Sequence, residues 1–73
     1  MIKQFAQQIE NEFNENPDAL IQEFPDRLET EDGFVPQINW AEFILSRIDS
    51  AYPELDEDEC DELLEEIREE LCV

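Results

Sequence analysis

Histidine does not occur in this chain, glycine occurs once, and only four residues carry positive charge. Without histidine, and with Thr30, Ser46 and Ser50 as the aliphatic hydroxyls, no nucleophile–base–orienter triad can be assembled. A lone Gly33 rules out a glycine-rich loop that cradles phosphate. Two cysteines and no histidine fall short of a structural zinc site. The stretches Asp56-Glu-Asp-Glu59 and Asp26-Arg-Leu-Glu-Thr-Glu-Asp-Gly33 lack the ligand spacing of a calcium loop, the second because Leu28 and Thr30 stand where oxygen ligands are needed. The sequence therefore predicts no enzyme, no catalytic residue, no cofactor and no metal site.

Long hydrophobic runs are also missing. The opening MIKQFAQQIENEF holds one lysine and no extended apolar stretch, the pattern of neither a secretion signal nor a membrane span. Cys60 and Cys72 lie twelve residues apart on one expected helix, about 18 Å, too far for a disulfide. Two free thiols and no export signal predict a cytoplasmic protein.

What is present in excess is acid. Asp and Glu number 22 of 73 residues against four Lys and Arg, giving a formal net charge of -18. A chain of this length forms one domain, near the lower limit at which a single core sustains a fold. Its 41% hydrophobic content, with five Phe, one Trp and one Tyr, is too high for a disordered acidic tail. Such charge opposes compaction, and it excludes direct binding to nucleic acid or to anionic membrane surfaces.

Periodicity supplies the elements. Ile2, Phe5, Ala6, Ile9 and Phe13 recur at helical spacing and predict an amphipathic helix over 2–14. Asn16-Pro17-Asp18 reads as a cap followed by a first-turn proline, opening a short helix over 17–24 with Leu20, Ile21 and Phe24 buried. From 25 to 38 the pattern fails: Glu-Thr-Glu-Asp-Gly33 signals a turn, and Phe34-Val35-Pro36 is too interrupted for a strand. The expectation is a loop anchored by Leu28, Phe34, Val35 and Ile38. Asn39 caps a third helix over 39–52, whose broad apolar arc suits a central position. Arg47 falls inside that arc, where it either snorkels or pairs with a carboxylate from another helix, or else orders an acidic binding loop. A last helix over 56–72 opens with Asp56 as cap and Glu59 three residues on, and carries Cys60, Leu63, Leu64, Ile67 and Leu71 on one stripe. The fold expected is all-α, a compact domain of three or four helices.

The last helix poses the functional question. Asp56, Glu57, Asp58 and Glu59 suit its first turn, where negative charge offsets the positive end of the helix dipole. Glu65, Glu66, Glu69 and Glu70 lie toward the opposite end, where the dipole favours cations. Glu62–Glu66, Glu66–Glu70, Asp61–Glu65 and Glu65–Glu69 are like-charge neighbours at i,i+4, each unfavourable by about 0.2 to 0.5 kcal/mol. Selection for helix stability alone would place lysine or arginine at several of these positions. From Glu57 to Glu70 the helix presents nine carboxylates and one Arg over about 20 Å. A duplex of that length carries about twelve phosphates and a single strand about six. A halophile surface is one bland explanation, but it requires no concentration of acid on one helix.

Acyl carrier proteins are also small, acidic and helical, with a prosthetic-group serine at a helix start. The nearest match here, Asp49-Ser50-Ala51, falls at a helix end before Pro53. In composition, and most of all over Asp56 through Glu70, the chain resembles the small acidic phage-encoded proteins that mimic DNA, among them anti-restriction and anti-CRISPR proteins. That resemblance is one of class. It implies a stoichiometric inhibitor of a basic nucleic-acid-binding complex and transfers no site residue by residue. In the mechanism expected from the helix itself, Asp58, Asp61, Glu62, Glu65, Glu66 and Glu69 stand in for phosphates, in a monomer or homodimer. The alternative is an adaptor or antitoxin-like module held mainly by an apolar patch that includes Trp40, Tyr52 or Phe34, with acid steering the encounter.

Overall fold

The computed structural model describes residues 2–73. The chain runs α1 (Ile2–Glu15), α2 (Pro17–Glu23), β1 (Pro25–Thr30), β2 (Gly33–Ile38), α3 (Trp40–Ala51) and α4 (Glu57–Leu71). The architecture is thus mixed α/β, and the all-α expectation is wrong in one segment: residues 25–38 form an antiparallel hairpin, with Leu28 opposite Val35 and Thr30 opposite Gly33. Two residues, Glu31 and Asp32, make the turn, and Gly33 leaves it at φ +126, a conformation that L side chains rarely adopt. The Thr30 hydroxyl donates to the Gly33 carbonyl at 3.0 Å and closes the end.

Local chemistry fixes the helix starts. Asn39 accepts from the Glu42 N–H at 3.2 Å, and Asp56 accepts from the Glu59 N–H at 2.8 Å, each satisfying one of the donors left free in a first turn. Asn16 differs from expectation, because its side chain makes no cap bond; Pro17 opens α2 and has no N–H that needs a partner. α4 ends in a Schellman arrangement. Cys72 adopts a left-handed φ of 60, its N–H reaches the Glu69 carbonyl at 3.3 Å, and the Val73 N–H reaches the Arg68 carbonyl at 3.1 Å.

Burial of the apolar stripes joins these elements. Phe43, Ile44 and Ile48 of α3 are fully buried, and around them lie Ala6 and Ile9 of α1, Leu20, Phe24, Ile38, and Leu64 and Ile67 of α4. α1 and α3 run antiparallel: Phe5 meets Tyr52 with ring centroids 5.6 Å apart, and Phe13 meets Trp40 at 4.9 Å. Arg47 reaches from α3 to Glu12 of α1, donating through Nε to both carboxylate oxygens at 2.9 and 2.8 Å, with its guanidinium carbon 5.1 Å from the Phe43 ring centroid. The hydrogen bond with Glu12 holds the guanidinium pKa above its ordinary value, against the opposing effect of desolvation. Of the two sequence readings of Arg47, the interhelical ion pair is the one observed.

The helical body has two distinct ends. Where α1 begins and α3 finishes, Ile2, Phe5, Tyr52, Leu55 and Leu63 line one cleft, so α4 covers that end. Where α1 finishes and α3 begins, the hairpin emerges, its root closed by the Asn39 N–H donating to the Phe24 carbonyl at 2.8 Å. Of the apolar anchors expected in this segment only Ile38 is buried; Leu28, Phe34 and Val35 are exposed. The hairpin projects, and the molecule measures 42 × 25 × 20 Å.

Candidate binding face on the last helix

α4 has one apolar stripe, and the core takes it: Leu64 and Ile67 are buried, while Cys60, Leu63 and Leu71 are half-buried beside them. At about 100° per residue, Asp58, Asp61, Glu62, Glu65, Glu66 and Glu69 then fall within an arc of about 140° centred opposite that stripe. All six are exposed. The helix that carries them is fixed by the Asp56 cap at one end and the Schellman bonds at the other, and packs along its length on α1 and α3. The carboxylates therefore project from a rigid rod.

The electrostatics of this face are those of acids crowding acids. Glu59 has its pKa raised, chiefly by the charge of Asp56. Burial pushes the Cys60 thiol up, and the neighbouring charges of Asp49, Asp56, Asp61 and Glu59 push it further. Cys60 and Cys72 are both free, and burial together with the surrounding acid disfavours the Cys60 thiolate. Relief is sparse: Arg68, in the last turn, donates through Nε to the Val73 carbonyl at 3.4 Å, and Lys3 lies beside Glu66, Glu69 and Glu70. Among the described residues the ion pair within 4 Å is Glu12–Arg47, on the other side of the body, so none of the six acids has a cation partner at that distance.

One contributor was not expected. Asp49, in the last turn of α3, lies with Asp56, Glu57 and Asp61 around a shallow depression and extends the acidic surface past the start of α4. The chain separation of Asp49 from Asp61, across the Tyr52-Pro53 break, hides this proximity from helical periodicity; only the packing of α4 on α3 creates it. Two other groups of acids do not extend this surface. Glu12 is engaged by Arg47, and Asp26, Glu29, Glu31 and Asp32 ride on the hairpin at the opposite end.

Among the described residues no three Cys, Asp or Glu side chains converge on a point that could hold a metal ion. No helix there is long and apolar enough to cross a membrane. No family model, curated protein or solved structure matches the chain.

Proposed function

We propose that this protein is an acidic nucleic-acid mimic that occupies the basic nucleic-acid groove of a protein complex, such as a CRISPR effector or a restriction nuclease, and inhibits it by stoichiometric occupancy. One observation carries the reading: six exposed carboxylates share one face of a capped, packed helix, at a spacing intermediate between single- and double-stranded nucleic acid. The helix fixes the backbone positions of the charges before the encounter, so no backbone order has to be created on binding, and the ordering cost is confined to the exposed Asp and Glu side chains. Asp58, Asp61, Glu62, Glu65, Glu66 and Glu69 pair with lysine and arginine of the target, and the whole charge of -18 accelerates approach to a basic surface. Catalysis plays no part, and such a target locates the protein in the cytoplasm, as monomer or homodimer.

A tagged pull-down at about 0.1 M and about 1 M salt, with partners identified by mass spectrometry and then challenged with DNA or RNA, tests this. The expected result is a nucleic-acid-binding subunit that is captured at low salt, lost at high salt and displaced by nucleic acid. Changing Glu62, Glu65, Glu66 and Glu69 together to Gln weakens that capture by about tenfold or more. A quadruple variant that binds as tightly as the parent overturns the mimic. The adaptor reading draws its support from Phe34, 62% exposed; it expects a partner retained at high salt and indifferent to nucleic acid.

A further inference from the structure

Among the described residues four large apolar side chains stand exposed, and three of them are on the hairpin: Leu28 at 52%, Phe34 at 62% and Val35 at 48%. Single exposed apolar residues are ordinary, but a cluster on one projecting ribbon marks a contact surface. The register divides them between both faces. Leu28 and Val35 are directly opposite and share one face; Phe34 lies on the other, with the Arg27 guanidinium carbon 5.3 Å from its ring centroid.

Each strand of a two-stranded ribbon is an edge, and open edges recruit strands from other chains. Here both are blunted. Pro36 has no N–H to offer, so its pairing with Arg27 is without ladder bonds and both residues turn their backbone outward. On the Arg27 side the N–H is already given to Asp26 Oδ1 at 2.9 Å. Main-chain pairing is thereby disfavoured, and the ribbon offers its side chains. Around them are Asp26, Glu29, Glu31 and Asp32 against the single Arg27, an acidic rim about an apolar centre. A second copy of this chain would bring the same rim and the same excess of negative charge, which repel.

We propose that the hairpin is a docking finger whose occupant is an apolar recess bordered by lysine and arginine on a partner protein. Leu28, Phe34 and Val35 enter the recess while Glu29, Glu31 and Asp32 meet its basic rim. The site is separate from the acidic face of α4, at the other end of the α1–α3 pair, and stands whether or not that face is a nucleic-acid mimic.

The test is an NMR titration of the isotope-labelled full chain at about 0.1 M salt with three synthetic peptides, alternating Lys–Leu, Lys–Ser and Glu–Leu. The Lys–Leu peptide is expected to shift the signals of Leu28, Phe34, Val35 and their strand neighbours, and the other two to affect the hairpin at least about tenfold more weakly. The double variant Phe34→Ser, Val35→Thr, at positions outside the core, is expected to lose the hairpin response while its helical signals stay in place. Equal maps for Lys–Leu and Lys–Ser, equal binding of Glu–Leu, or hairpin shifts that follow protein concentration without peptide would each overturn the proposal, the last by identifying a second copy as the occupant. The response of α4 to Lys–Ser is read in the same spectra, so failure of the acidic face and failure of the finger are distinguished.

Discussion

At one end of the molecule α4 buries Leu64 and Ile67 and turns six carboxylates to solvent; at the other the hairpin buries Ile38 and leaves Leu28, Phe34 and Val35 in water. Both surfaces cost stability, but by different routes. On α4 the core dictates orientation, since an amphipathic helix that buries one stripe must display the opposite one, and the unfavourable part is mutual repulsion of what it displays. On the hairpin no core dictates anything beyond the root, and the unfavourable part is apolar area left wet. Where a fold tolerates two unrelated penalties at two ends, each end must be judged by what is added to the chain from outside.

Substitutions sharpen this contrast, the largest effects coming from residues that serve the core. Ile67→Ala, at a fully buried position of α4, is expected to destabilise by about 2 to 5 kcal/mol in urea unfolding, a large share of the stability of so small a chain. Phe34→Ala on the hairpin is expected to change stability by no more than about 0.5 kcal/mol in the same assay. A loss above about 1 kcal/mol would mean that Phe34 serves the fold and would remove the reason to assign it to a partner. Between these extremes lies the interhelical pair. Arg47→Met is expected to cost about 1 to 2 kcal/mol, a figure held down because the two side chains remain 28% and 40% exposed.

The quadruple Gln change at Glu62, Glu65, Glu66 and Glu69 removes the four i,i+4 repulsions named above and is expected to raise stability by about 1 to 2 kcal/mol at low salt, the gain shrinking as salt rises. Glu59 gives the same penalty a pH signature. Its folded pKa is raised by Asp56, so the stability it contributes is present below its ordinary value of 4.5 and is lost as pH rises through the raised one. Glu59→Gln is expected to flatten that part of a thermal midpoint against pH profile. Cys72→Gly is expected to give a smaller gain, about 0.5 to 1 kcal/mol in thermal unfolding, because glycine carries no penalty at the left-handed position that closes α4.

How far the sequence discloses this arrangement depends on how each element is buried. α1, α3 and α4 each give a face to the core, so Ala6 and Ile9, Ile44 and Ile48, or Leu64 and Ile67 repeat at helical spacing and announce the helix. The same logic makes the acid face of α4 legible, since the side opposite a buried stripe is the exposed side. The hairpin gives neither face to the core, so Asp26, Arg27, Leu28 and Glu29 show no alternation of apolar and polar, the signal by which a half-buried strand is recognised. Pro25 and Pro36 then weigh against a strand, although in a two-stranded ribbon every position lies on an edge and proline is tolerated. The turn at Glu31-Asp32-Gly33 was readable; the pairing on either side of it was not. Asp49 was out of reach for a different reason, because its place beside Asp56 and Asp61 is created by tertiary packing.

The bond from the Asn39 N–H to the Phe24 carbonyl, with Phe24 and Ile38 buried to either side of it, works as a clasp on the neck of a loop. Everything beyond it, from Asp26 to Gln37, is held by local pairing, and its amides can exchange with solvent through openings that leave the helical core closed. The ribbon is in that sense a replaceable cartridge. Evolution, or an engineer, can exchange its twelve residues for another sequence of equal span and change what this end of the molecule meets, without renegotiating the body that carries it.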